Sequence, residues 1–100
     1  MLTSERQGKT YVVRAEGEVD LGGAGPLDEE MRRVEATDVE TIVLDLSELE
    51  FMDCSGIRLL LDLQRRSTDD GRRLRMIRGA GQVDRLVKLT GVDETLPFAA

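Results

Sequence analysis

The feature that most constrains the fold is a change in the spacing of apolar residues between Thr41 and Gln64. The run from Ile42 to Leu46 is short and rich in branched apolar residues, which favours a buried strand. From about Ser55 the apolar positions recur with a helical period instead. They are Ile57, Leu59, Leu60, Leu61 and Leu63. Charged residues fill the opposite side, so this helix should be amphipathic. A strand that leads into such a helix indicates an α/β fold.

Between the strand and the helix lie Asp53, Cys54, Ser55 and Gly56, which we call the 53–56 motif. The start of a helix exposes backbone N–H groups without an intrahelical partner, and the helix dipole adds partial positive charge there. Asp53, Cys54 or Ser55 can act as the N-cap, and the same donors would stabilise a phosphoryl group. Gly56 leaves space for a partner to approach the backbone. The alternative is an ordinary capped helix, since capping residues before apolar runs are common.

Three further stretches have the character of strands. Residues 1–10 are polar and are expected to form an edge strand or a loose arm. Tyr11 to Val19 alternates between apolar or small residues and charged ones, as a strand with one covered face does. Arg72 to Arg78 alternates in the same way through Leu74 and Met76. The sequence therefore predicts strands both before and after the central segment.

Two helices are expected besides the one that follows the motif. Pro26 suits the first turn of the earlier helix, because its missing N–H is not needed there. The buried stripe of that helix should consist of Leu27, Met31 and Val34. Gln82 to Leu89 predicts a short helix later in the chain. The helix after the motif should run to about Asp69 and stop at Gly71. The tail around Phe98 is expected to pack back onto the body.

Strands separated by helices of this length imply parallel pairing and right-handed crossovers. The polar faces of the first and last strands suggest that helices cover only one face of the sheet. We therefore predict a single domain over residues 1–100. Its fold class is α/β, with one mixed, mostly parallel β-sheet of about four to five strands and with helices packed on one face.

Composition excludes several classes of function. The chain has no histidine and one cysteine, so it offers neither an imidazole base nor an imidazole or thiolate metal cage. A net charge of −6 and an aromatic content of 3% argue against a nucleic-acid surface. Neither paired carboxylates in an obvious cleft nor a nucleotide-binding loop is present. We expect a protein that is not an enzyme and that needs no cofactor or metal.

Features of the chain also bear on its location. No apolar run approaches the roughly 18 residues that a membrane span requires, so membrane insertion is not expected. The N-terminus lacks the apolar core of a secretory signal. A single cysteine does not suit an oxidising compartment. Together these features predict a cytoplasmic protein, and a monomer is the default expectation.

Four stretches together resemble the STAS domain (sulphate transporter and anti-sigma factor antagonist) in its small, free-standing bacterial form. They are Gly17-Glu18-Val19-Asp20, Ile42-Val43-Leu44-Asp45-Leu46, Phe51-Met52-Asp53-Cys54-Ser55-Gly56 and Leu89-Thr90-Gly91-Val92. The resemblance covers nearly the whole chain, from about residue 9 to about residue 98. It favours a partner-facing role for the 53–56 motif over a plain helix cap.

The resemblance implies a binding module in a partner switch that regulates transcription. Such antagonists bind an anti-sigma factor, which is itself a serine/threonine kinase of the histidine-kinase ATPase fold. Binding frees the sigma factor, and phosphorylation of the antagonist ends the binding. The implied partner-binding residues are Asp20, Asp53, Cys54, Ser55 and Gly56, and Asp20 holds the acidic position that in the family lies near the phosphorylation site.

One position departs from the family pattern. The acceptor in the family is the serine or threonine directly after the motif aspartate, and here that position is Cys54. Ser55 is adjacent and is the remaining phosphorylation candidate, although a helix start would point it differently. Three outcomes stay open: Ser55 is used instead, the protein is a binder that cannot be switched, or the domain serves another complex. The alternative function is a STAS subunit of a larger assembly, such as a lipid-transport ABC complex or a stress-signalling particle.

Overall fold

The computed structural model describes residues 1–19 and 24–99. Asp20, which the family resemblance placed in the partner-binding set, lies outside the described residues. In chain order the elements are β1 (Leu2–Gln7), β2 (Thr10–Ala15), β3 (Gly17–Val19), α1 (Ala24–Glu35), β4 (Thr41–Asp45), β5 (Leu49–Met52), α2 (Cys54–Asp70), β6 (Arg73–Ile77) and α3 (Gly81–Leu89).

The larger sheet of the described chain has four strands in the order β1-β2-β4-β6. Strand β1 runs antiparallel to β2, whereas β2, β4 and β6 are parallel to one another. The predicted α/β fold with a mixed, mostly parallel sheet is therefore confirmed. Residues 1–10, which were expected to form an edge strand or a loose arm, contribute the edge strand β1. A second, smaller sheet pairs β3 with β5 in parallel.

One face of the larger sheet carries the core. Val13, Leu44 and Met76 lie side by side across β2, β4 and β6, and all three are fully buried. The opposing layer comes from the buried sides of α1 and α2. These are Leu27, Met31 and Val34 of α1, and Ile57, Leu59, Leu60 and Leu63 of α2. The next row on the sheet consists of Val12, Val43 and Arg75, which point to the other face and are half-buried or exposed. The prediction that helices pack on one face of the sheet is confirmed.

The predicted strand from Tyr11 to Val19 is divided in two at Glu16. The backbone of Glu16 binds Met1, because Glu16 N donates to Met1 O (2.8 Å) and the N-terminal ammonium group donates to Glu16 O (2.9 Å). Gly17 follows with φ +85°, a conformation that favours glycine. Alternation of residue types cannot reveal this break, since the buried side continues through it. The consequence is that the last three residues leave the larger sheet and pair with β5.

Strand β5 was not among the strands predicted from the sequence. In the structure Ser47 and Glu48 form a turn, and Leu49–Met52 forms the strand. Leu49 and Met52 are buried while the two residues between them are exposed, so the segment lacks the alternation of a regular strand. A register shift in the partner strand, between Gly17 and Glu18, accompanies this irregularity.

Helix α2 ends where the sequence predicted. It stops at Asp70, and Gly71 adopts a left-handed conformation (φ +68°) with its N–H donating to the carbonyl of Thr68 (3.2 Å). The predicted packing of the tail is also confirmed: Met76 N donates to Pro97 O (2.9 Å), and Phe98 contacts the core. None of the helices in the described ranges combines the length and apolarity needed to cross a bilayer.

Candidate functional site

The 53–56 motif lies at the junction of β5 and α2. Asp53 has an extended backbone (φ −109°, ψ −171°) and is the N-cap of α2. Its Oδ1 atom accepts hydrogen bonds from the backbone N–H groups of Ser55 (2.9 Å) and Gly56 (3.4 Å). These N–H groups are among those that a helix start leaves without an intrahelical partner. Of the three residues that the sequence allowed as N-cap, the structure therefore selects Asp53.

The side chain of Ser55 is directed into the motif. Its hydroxyl group donates to Asp53 Oδ1 at 2.5 Å, and the residue is half-buried. The same carboxylate oxygen thus accepts both the backbone N–H and the hydroxyl of Ser55. A phosphoryl group on the Ser55 hydroxyl oxygen would replace the hydrogen bond to Asp53 and would lie beside the Asp53 carboxylate. The Ser55 hydroxyl is therefore engaged within the motif.

Cys54 is the first residue of α2 and is exposed as a free thiol. Its neighbour Ser55 is half-buried, so the two residues that follow Asp53 differ in accessibility. The exposed residue, to which the family resemblance assigned the acceptor position, carries a thiol. The structure thus combines an accessible thiol at residue 54 with a hydroxyl at residue 55 that donates to Asp53.

Gly56 is buried, and its lack of a side chain is required by the protein's own packing. A Cβ atom at this position would lie 2.4 Å from Met52 Cγ and 3.0 Å from the Val19 carbonyl oxygen. The side chain of Met52 is fully buried beneath the start of α2. The space that we assigned to an approaching partner is therefore filled from inside by Met52 and Val19. Contact of Gly56 with a partner stays a prediction, but glycine is needed here in any case.

Strand β3 brings a second part of the chain to the motif. Val19 is paired with Met52, and its carbonyl oxygen accepts the Asp53 N–H at 3.3 Å. The Gly17–Val19 segment therefore ends beside the N-cap of α2. The sequence grouped this segment with the motif only through the family resemblance, and Asp20 itself is not among the described residues.

An exposed stripe of α2 continues from the motif. It consists of Cys54, Arg58, Leu61 and Arg65, which are spaced by four, three and four residues on one side of the helix. Three residues of the stripe line a shallow groove together with Ser55, Leu59 and Asp62. These three are Arg58, Leu61 and Arg65. Sequence reasoning had placed Leu61 in the buried arc, but three consecutive leucines cannot all face the core from one helix. The structure leaves 36% of Leu61 exposed.

The two arginines of the stripe differ in whether they form an ion pair. Arg65 forms an ion pair with Asp62, whereas Arg58 is exposed and makes no ion pair with any of the described residues. Phe51, two residues before Asp53, is another exposed apolar side chain (39%) next to the motif. The accessible surface around the motif therefore offers a thiol, two apolar side chains and the guanidinium group of Arg58. Such a mixture of apolar and cationic groups is common in protein–protein contacts.

A contact from α3 to Met52, the residue before the motif, was not predicted from the sequence. The side-chain amide of Gln82 donates to Met52 O (2.8 Å), and its oxygen accepts the Met52 N–H (3.0 Å). No local pattern could reveal it, because Gln82 lies in another helix and was expected only as its first residue. Among residues 1–19 and 24–99 there is no cluster of three or more side chains suited to hold a metal ion.

Comparison with known proteins identifies the family. The family profile described as "Mlab, STAS domain" matches residues 2–97. The chain belongs to the STAS domain family. The resemblance that the four sequence stretches predicted is thus confirmed, and the four-stranded sheet with helices on one face is the arrangement found in its structural relatives.

Two solved anti-sigma factor antagonists have a similar fold. An anti-sigma factor antagonist from Mycobacterium paratuberculosis superimposes with a TM-score of 0.85 at 26% identity, covering 98% of this chain and 83% of that one. The anti-sigma factor antagonist SpoIIAA in its unphosphorylated form has a TM-score of 0.79 at 22% identity, covering 100% and 89% of the two chains. At that identity the likeness to SpoIIAA concerns the STAS fold alone.

A third STAS-like match is part of a much longer chain. The protein named Mglu aligns with a TM-score of 0.68 at 28% identity. The alignment covers 74% of this chain but only 18% of Mglu. An arrangement similar to about three quarters of this chain therefore occurs within a longer protein.

Proposed function

We propose that this protein is a bacterial anti-sigma factor antagonist, a single STAS domain that acts by binding and not by catalysis. The observation that carries the proposal is the match to the Mycobacterium paratuberculosis antagonist over 98% of this chain and 83% of that one. Its partner would be an anti-sigma factor kinase of the histidine-kinase ATPase fold, in the cytoplasm. Binding would release the sigma factor and so regulate transcription.

We infer that the partner contacts the exposed side of the 53–56 motif. Cys54, which the sequence suggested, lies in one exposed stripe with Arg58 and Leu61, so these two residues are added to the proposed contact set. Asp53 and Ser55 lie at the same end of α2, where the Asp53 carboxylate accepts the Ser55 N–H and caps the helix. Asp20 stays in the proposed contact set, on the strength of the family pattern.

Control by phosphorylation is proposed to be weak or absent. Cys54 is accessible but is no substrate for a serine kinase, and the Ser55 hydroxyl is half-buried and donates to Asp53. Of the three outcomes that the sequence left open, these contacts support a binder that its kinase does not switch. Ser55 remains the phosphorylation candidate to be tested.

The test is an affinity pull-down from the source cell, with the captured proteins identified by mass spectrometry. Recovery of a small ATPase-fold kinase, followed by measurable binding to the purified kinase in calorimetry, is the expected result. Failure of the purified pair to bind would contradict the proposal.

A second candidate is a STAS subunit of a larger assembly, such as a lipid-transport ABC complex or a stress-signalling particle. Two observations favour keeping it: the matched family is described by Mlab together with the STAS domain, and the Mglu alignment shows the fold within a longer chain. In the same pull-down, recovery of a membrane permease in place of a kinase would favour this candidate.

A further inference from the structure

Gln82 joins α3 to the residue that precedes the motif. Its side-chain amide makes two hydrogen bonds with Met52, one to the backbone N–H and one to the backbone carbonyl. This is the pattern by which one residue of a neighbouring strand would pair. Met52 already pairs with Val19 on the other side, so its backbone is held from both edges of β5.

Met52 is packed against the start of α2. Met52 directly precedes the N-cap, Asp53, and its fully buried side chain lies against Gly56. A Cβ atom on Gly56 would lie only 2.4 Å from Met52 Cγ, so the two residues are in close contact. A displacement of Met52 would therefore move both the capping carboxylate and the first turn of α2.

The start of α3 has no side-chain cap, but the residue before its N-cap is closely packed. Ala80 is its N-cap and provides no side-chain hydrogen bond to the first turn. Gly79, just before it, is packed against Val83 and the Leu46 carbonyl oxygen, where a Cβ atom would lie 2.9 Å and 3.1 Å away. The side chain of Gln82 thus reaches out to β5 from a helix that lacks its own side-chain cap.

We propose that Gln82 is a positioning residue, which holds Met52 so that the 53–56 motif keeps the geometry presented to a partner. Gln82 is not part of the exposed stripe on α2, and its effect on binding would be exerted through Met52. Its effect on the motif is independent of the partner's identity. Its effect on affinity rests on the proposed function.

The test compares Gln82→Met, which keeps the length of the side chain but removes both hydrogen bonds, with the wild-type protein. Gln64→Met is the matched control, because Gln64 also donates from its amide to a backbone carbonyl, that of Thr95 (2.8 Å), away from the motif. The first readout is amide exchange by NMR at Ser55 and Gly56, measured relative to the core amide of Leu44. The second is affinity for the purified anti-sigma factor kinase.

If Gln82 positions the motif, Gln82→Met loses protection at Ser55 and Gly56 by roughly tenfold more than at Leu44, the loss expected when buried polar groups are left unpaired. Affinity should fall by roughly the same factor, while Gln64→Met leaves both readouts unchanged. Gln82→Glu keeps an acceptor for the Met52 N–H but loses the donor to Met52 O, so it should shift the exchange in the same direction.

Equal loss of protection at the motif and at Leu44 would show a purely structural role and would overturn the proposal. The proposal is also overturned if either Gln82 variant binds the kinase as tightly as Gln64→Met does. If the wild-type protein itself does not bind the kinase, the proposed function fails, and the exchange measurement alone then decides the role of Gln82.

Discussion

Ser55 and Asp53 are joined by two hydrogen bonds that end on the same atom. The Ser55 backbone N–H (2.9 Å) and the Ser55 hydroxyl (2.5 Å) both donate to Asp53 Oδ1. The hydroxyl therefore shares the carboxylate oxygen that caps α2. This relationship separates Ser55 from the exposed Cys54, although the two residues are neighbours in the sequence.

The first prediction concerns phosphorylation at the motif. The cognate kinase should modify the wild-type protein poorly, because Cys54 is not an acceptor and Ser55 is engaged with Asp53. Cys54→Ser should create or greatly strengthen phosphorylation at residue 54. The added phosphate carries roughly 1.5 to 2 negative charges, which should make binding switchable. Incubation with kinase and ATP, followed by intact mass and site mapping, measures both.

Ser55→Ala is the control for this experiment. If the weak modification of the wild-type protein disappears in this variant, the residual acceptor is Ser55. Efficient modification of the wild-type protein at a residue outside the motif would show that the switch lies elsewhere.

The second prediction locates the partner interface. Cys54→Glu adds a charge at an exposed residue of the first helical turn, where an acidic side chain is favourable to the helix itself. Binding to the kinase should nevertheless weaken by about 2 to 5 kcal/mol if the new charge becomes buried and unpaired in the contact. Calorimetry measures the change. Thr68→Glu, at the exposed far end of the same helix, should bind as the wild type does. Equal affinities for the two variants would place the interface away from the motif.

The third prediction concerns the stability of the motif. Gly56→Ala should lower the free energy of unfolding by about 1 to 3 kcal/mol, because the new methyl group would overlap Met52 and the Val19 carbonyl. Helix propensity alone predicts the opposite sign, a gain of up to about 1 kcal/mol. Gly25→Ala in α1 is the control for packing, since a Cβ atom there meets nothing within 4 Å, although the following Pro26 removes the gain in helix propensity. Urea denaturation should show a larger loss for Gly56→Ala than for Gly25→Ala, and stabilisation by Gly56→Ala would contradict the packing argument.

The fourth prediction is a dependence of stability on pH. Hydrogen bonds from Arg33 and then from Ser4 lower the pKa of Glu30 from 4.5 to about 2. A folded-state pKa below the unfolded value stabilises the protein above pH 4.5, and this contribution is lost as the pH falls towards 2. Glu30→Gln should therefore be less stable than the wild type at pH 7, with a difference that shrinks on acidification. Denaturation curves between pH 7 and pH 2 measure it, and a constant difference would contradict the assignment.

Much of the fold could be predicted from local pattern. Helix α2 was expected from the spacing of its leucines, its end from Gly71, and the stripe of α1 from Leu27, Met31 and Val34. These features depend on residues close in the chain, whose side chains and backbone preferences act on the same turn. Strand β5 and the break at Glu16 could not be predicted in this way, because both depend on pairing with residues distant in sequence.

The sequence by itself determined the class of the fold, the family and the place of the motif at a helix start, since periodicity and capping chemistry are local properties. It could not distinguish Asp53 from its neighbours as the N-cap, nor show that Ser55 is engaged while Cys54 is exposed. Only the tertiary structure decided that Gly56 is required by Met52 and that Gln82 holds the strand before the motif. The physical reason is that Val19 and Gln82 are distant in sequence from Met52 and Gly56, and they meet them only after the sheets and helices have packed.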